Sequence, residues 1–248
     1  LHNPIRALLQ PFSGVHPVTN SDLLVRIQQA TTPRQLTKLV DQLQSRIYNL
    51  PPEDQAITRK QLADTLSSLA LHASQAPLRL EAAGWLRMFV QAAYLSQPEQ
   101  IFVTLVTAAT RASIDSNEQR AYLKMIFDCF WPFRYPYAAY TWEQYPNNNV
   151  FYSLVPLLSQ SDDDTQAMLI AIFAELPSLD DPEISAYLLP LALAWSDGAN
   201  PERRQRITTI LSLMSHSSAQ EALSRLQADP NPSISTSAKR AAEKVRRA

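Results

Sequence analysis

The chain has 248 residues, 46% of them hydrophobic, with a net charge of −1 and a pI of about 6.5. That length can bury a large apolar interior, while the balanced charge offers nucleic acid or an anionic membrane no global field. Only three glycines are present, which disfavours turn-rich sheets and excludes a glycine-rich phosphate loop or a nucleophile elbow.

Residues 1–20 hold three prolines and a glycine without periodicity and are expected to form an extended arm. No basic stretch precedes an apolar core there, so no signal peptide is expected. A short helix is predicted from Ser21 or Asp22 to Ala30. A longer one follows, capped by Thr32 with Pro33 in its first turn, in which Leu36, Leu39, Val40, Leu43 and Ile47 share a face. Pro51 and Pro52 end it. From Glu53 to Ala73, Ile57, Leu62, Leu66 and Leu69 form another stripe. Residues 78–95 are apolar on more sides, which marks an inner helix. Glu99 opens a helix through Ile101, Phe102, Leu105 and Val106. Asp115 with Glu118, or Ser116 with Gln119, gives a capping-box start to the next, which runs to Cys129.

Residues 130–152 break this rhythm. They hold ten of the chain's 21 aromatic residues, three prolines and two charges, Arg134 and Glu143. A patternless linker of this length inside a helical chain is either functional or disordered, and this one is too aromatic for disorder. Two roles are open to it. Its rings can plug the space between two helical blocks. Alternatively, Tyr135, Tyr137, Tyr140, Trp142 and Tyr145, with Arg134 and Glu143, can form a partner-binding surface of stiff amphipathic side chains.

Helices are then predicted at 148–159, 164–176, 181–196, 201–215, 217–228 and 232–246. Acids and prolines mark several starts, and the run Asp162, Asp163, Asp164 reads as a cap on a solvated turn, not a metal site. Four histidines at positions 2, 16, 72 and 216 lack metal-ligand spacing. Cys129 is the lone cysteine. It excludes an intramolecular disulfide, fits a reducing compartment, and its aromatic neighbours predict a buried thiol. The C-terminal Lys239, Arg240, Lys244, Arg246 and Arg247 complement their own helix dipole and give the last helix a polar face.

In the last helix Ile234, Ala238, Ala241, Ala242 and Val245, after Asp229 and Pro230, resemble the second half of a HEAT repeat. Leu78, Arg79, Ala82, Trp85 and Leu86, within residues 76–86, repeat that spacing. Asp181, Pro182 and Ile184 start similarly, although Ser235 and Ser185 stand where the family usually carries Arg. The resemblance to HEAT and armadillo proteins implies an all-α fold, a right-handed superhelix of about 11–12 stacked helices. Its expected layout is an arm (1–20), N-terminal repeats (21–130), an aromatic loop (131–147) and C-terminal repeats (148–248) in one continuous solenoid.

The expected function is a cytoplasmic, non-enzymatic scaffold that binds another protein through its concave face and the aromatic loop. No cofactor, metal or membrane insertion is expected, and nucleic acid is disfavoured by charge. The same family resemblance offers enzyme alternatives. One is a HEAT-like phycobilin lyase, in which aromatic faces sandwich a tetrapyrrole and Arg134 meets a propionate. The other is a HEAT-like DNA glycosylase, which the near-neutral charge counts against.

Overall fold

A computed structural model describes residues 18–96, 98–133, 140 and 144–247, with side chains through Glu243. The predicted arm lies outside these residues up to position 17. Among the described residues the regular structure is helical: α1 Asn20–Gln28, α2 Pro33–Ile47, α3 Pro52–His72, α4 Ala76–Gln91, α5 Glu99–Ala109, α6 Ser116–Cys129, α7 Leu157–Gln160, α8 Asp163–Phe173, α9 Pro182–Ser196, α10 Pro201–Ser212, α11 Ser217–Leu226 and α12 Pro232–Arg247. Two 3₁₀ segments, Trp131–Phe133 and Asn148–Leu154, lie between α6 and α7. Proline in the first turn of α2, α3, α4, α9 and α10 costs no hydrogen bond, because those N–H groups have no partner within the helix.

Successive helices pair as hairpins and stack into two rows. The first row runs α1, α3, α5, the 3₁₀ segment 148–154, and then α9 and α11; the second runs α2, α4, α6, α8, α10 and α12. Each second-row helix packs on the next second-row helix. Leucine, isoleucine and alanine fill the space between the rows, from Leu36, Val40 and Leu43 in α2 to Ile234 and Ala238 in α12. This is an all-α solenoid of HEAT and armadillo type.

One side-chain position closes the hairpins. The fourth residue of each second-row helix from α4 onward donates to a carbonyl at the end of the preceding helix. Arg79 reaches Ala73 O (2.8 Å) and Ser74 O (3.0 Å), Gln119 reaches Ala109 O (3.0 Å), and Gln166 reaches Leu158 O (2.7 Å). Arg204 reaches Gly198 O (2.8 Å) and Ala199 O (2.9 Å), and Ser235 reaches Gln227 O (2.7 Å). Carbonyls at a helix C-terminus lack intrahelical donors, and this residue supplies one. Ser235, the departure from the HEAT pattern, therefore performs the same task as the arginines with a shorter side chain.

Several boundaries differ from the sequence expectation. Helix α1 starts earlier, on a capping box in which Thr19 accepts from Asp22 N–H and Asp22 accepts from Thr19 N–H. Asp115 caps α6 by accepting from Asn117 and Glu118, but Glu118 does not reach back to it. Its carboxylate instead takes two 2.7 Å bonds from Arg79 on α4. The helix expected over 148–159 is a 3₁₀ segment and a single α-turn. Pro156 lacks the N–H an α-ladder needs there, Asn147 caps the tighter turn through Asn149 N–H, and Asn148 Nδ2 is drawn away to Ser178 O (3.1 Å).

Helix α4 ends in a Schellman motif. Tyr94 N–H bonds Phe89 O and Ala93 N–H bonds Val90 O, both at 3.0 Å, with the Tyr94 ring on Phe89. Ala93 sits at φ 52°, a left-handed conformation that favours glycine. Ala93→Gly is therefore expected to stabilise the fold by about 1 kcal/mol and raise Tm by about 2–4 °C. A fall in Tm on calorimetry would contradict that reading.

Candidate partner-binding face

The 3₁₀ segment 148–154 takes the place of a first-row helix in the fourth hairpin, packed against α5 and the rings of Phe130 and Phe102. Phe102 of α5 meets Phe130 (ring centroids 4.9 Å apart) and Phe151 (5.8 Å). Phe133 stacks on Tyr140 at 5.0 Å and meets Tyr145 edge-on at 5.1 Å. Phe130, Tyr140 and Phe151 are buried, at 0%, 4% and 0% exposure. Tyr145 donates its hydroxyl to Glu175 O, and Tyr152 donates to the Asp181 carboxylate, which fastens the plug to the turn before α9. That bond pushes the Tyr152 phenol up to about 12, and burial does the same to Tyr140. The Tyr140 oxygen approaches the Leu95 backbone without completing a hydrogen bond.

Two of the seven predicted contact residues, Tyr140 and Tyr145, therefore face inward. Buried Tyr140 and half-buried Tyr145 pack against neighbouring rings, which fits the plug role for these two. Arg134, Tyr135, Tyr137, Trp142 and Glu143 lie outside the described residues. Trp131, at the head of the stretch, is 52% exposed, and Met88 on α4 is 46% exposed. Neither is among the seven residues that the sequence pattern points to. Cys129 is fully buried against this cluster, and burial raises its thiol pKa, which suppresses the nucleophilic thiolate. Asp162 caps α8, as expected, while Asp163 and Asp164 pair with Arg203 and Arg120 on neighbouring second-row helices. His72 ends α3, and His216 Nδ1 lies 2.9 Å from Ser218 Oγ ahead of α11.

The fold sorts the chain's charge. Second-row helices carry 15 of the 22 Lys and Arg but only 8 of the 23 Asp and Glu; first-row segments carry 4 and 7. A nearly neutral chain thus presents a row of net +7 beside one of net −3. Ion pairs tie the basic row together: Arg79 to Glu118 and Arg87 to Asp128 between α4 and α6, and Arg204 to Asp229 ahead of α12. The Arg204 bond holds the Asp229 carboxyl below its usual range. Two surface grooves open on the same row. One, of about 530 Å³, is lined by Arg34, Thr37, Lys38, Asp41, Gln42 and Ser45 of α2. The other, of about 700 Å³, lies between α10 and α12.

These features define an all-α helical-repeat fold like that of HEAT and armadillo proteins. Solved structures of designed repeats share the fold. A designed armadillo repeat protein superposes with TM-score 0.53 at 16% identity, over 90% of this chain and 98% of that one. Two engineered proteins give TM-scores of 0.54 (16% identity, 92% of this chain, 96% of that one) and 0.51 (17% identity, 91% and 58%). Such identities show the fold alone. No protein-family model matches the sequence, and no curated protein matches it. No helix of the described residues is long and apolar enough to cross a membrane.

Proposed function

We propose that this chain is a non-enzymatic scaffold that holds another protein against its row of second helices, as stacked-hairpin solenoids offer extended surfaces for binding. The observation that carries this reading is the coincidence of charge and shape: the net-positive row is also the row with both grooves. A repeat protein that only needed solubility could distribute its charge over both rows. Arg134, Tyr135, Tyr137, Trp142 and Glu143 are proposed to contribute to partner binding as well. A single cysteine, the buried Cys129, is in keeping with a cytoplasmic setting.

The test is recovery of a partner from the native host by tagged chain. Lys38→Glu with Met88→Glu, both on the second row, is expected to abolish recovery of the partner that wild type retains, with helical content unchanged. Val25→Glu with Tyr187→Ala, exposed on the first row, is expected to leave it intact. The opposite pattern would place the partner on the other row and overturn the proposal.

A further inference from the structure

The groove between α10 and α12 carries a chemistry of its own. Arg206 and Arg240 line it from opposite helices, over a floor that includes Thr208 and Ser212, which are nearly buried. The hydroxyl protons of Thr208 and Ser212 are already committed to Gln205 O and Thr209 O of their own helix, both at 2.8 Å. What they offer the groove is lone pairs, so they accept. The arginines only donate. Arg240 has no ion-pair partner among the described residues, and Arg206 is held only by a loose 3.8 Å contact to the exposed Glu202.

Helix dipoles do not explain this placement. Arg206 is the sixth residue of α10 and Arg240 the ninth of α12, away from the last turns where a cation meets the dipole. The surroundings are strongly biased as well: α10 and α12 together carry eight Lys and Arg against Glu202 and Glu243. Glu202 also lines the groove, yet Arg206 and Arg240 outnumber it there, and a predominantly basic groove attracts a ligand of the opposite sign.

We propose that this groove docks an acidic, extended peptide segment of the partner. Arg206 and Arg240 take its carboxylates, and the floor hydroxyls accept its backbone N–H groups. The inference rests on the proposed protein-binding role and names the chemistry of what is bound. A polypeptide fits better than nucleic acid for two reasons. The groove's lining contains no aromatic ring for a base to stack on. The basic stretch is also short, since α8 contributes only Asp163 and Asp164 to the row and interrupts any continuous track for a phosphate backbone.

The probe is a fluorescein-labelled peptide of about eight residues alternating serine and glutamate, read by anisotropy on the full chain. Wild type is expected to bind it, with affinity falling as salt rises. Arg206→Glu and Arg240→Glu are each expected to weaken binding by about tenfold or more without changing Tm, as loss of a charge-assisted contact requires. Lys60→Glu, on the exposed surface of α3, is expected to change nothing. Equal binding by wild type and both arginine variants would overturn the proposal, as would tighter binding of single-stranded DNA of equal charge. Failure of the peptide to bind, while Lys38→Glu with Met88→Glu still abolishes partner recovery, would sink the acidic-peptide inference and leave the scaffold reading standing. Failure of both would remove both.

Discussion

Glu118→Ala is expected to destabilise the fold by about 3 kcal/mol and to lower Tm by roughly 6–12 °C. The carboxylate is 3% exposed and the Arg79 guanidinium 13% exposed, joined by two parallel 2.7 Å bonds. Removing the acid leaves a nearly buried cation without its counter-charge, held by the Ala73 and Ser74 carbonyls and beside Tyr122. The value is set toward the lower end for a broken buried pair because those carbonyls still satisfy one nitrogen. Arg79→Ala strips the same carbonyls of their donor and is expected to cost at least as much. Replacing both partners with apolar residues of similar size is expected to cost less than either single change, since no uncompensated charge then remains. Chemical denaturation of the three variants decides this. A loss below about 1 kcal/mol for Glu118→Ala would mean that the pair behaves like a surface contact.

The second large effect concerns the plug. Phe151→Ala is expected to cost about 3–5 kcal/mol, because the ring is fully buried against Phe102 and Phe130 and its loss leaves a cavity between α5 and the 3₁₀ segment. The same change loosens the first row at its weakest link, where the 3₁₀ segment joins the turn before α9 chiefly through Asn148 and Tyr152. A solenoid's cooperativity depends on such neighbour contacts, so the variant is expected to melt in two steps. Tyr140→Phe is the internal control. Its phenol oxygen is buried without a completed hydrogen bond, so removing it is expected to be neutral or slightly stabilising. A single sharp transition for Phe151→Ala with wild-type stability would show that the rings do not couple the repeats.

Much of this architecture was legible in the sequence because helix starts are chemical signals. Thr32 with Pro33, Asp115, Asp162 and Asn200 with Pro201 cap helices where the pattern placed them. The inner character of α4 followed from apolar residues on several faces, and the structure buries Leu78, Ala82, Ala83, Leu86, Phe89 and Val90. Local pattern failed where a distant partner decided the outcome. Glu118 satisfies a capping-box spacing, yet Arg79, 39 positions earlier, outcompetes the cap. Residues 148–159 carry helical spacing, but Pro156 and side-chain ties to the Ser178 and Asp181 region tighten them into a 3₁₀ segment.

The candidate face was legible only in part. Aromatic density pointed to residues 130–152, but density does not say which way a ring turns, and Tyr140 and Tyr145 turn inward. The charge sorting was hidden by the chain's overall balance, since +7 and −3 emerge only when helices are assigned to rows. Arg79 and Arg204 occupy the same fourth position in their helices, but Gln55 of α3 and Gln220 of α11 make the same kind of bond from that position, so it does not separate the rows.

The central claim, that a partner protein lies on the second row, is tested most directly by site-specific photocrosslinking. A photoreactive residue is placed singly at Lys38, Met88, Lys124 and Thr209 of the second row, and at Val25, Ile57, Val103 and Tyr187 of the first. The recovered partner is then added and irradiated. The account predicts covalent adducts from second-row positions and none from the first; adducts confined to the first row would contradict it.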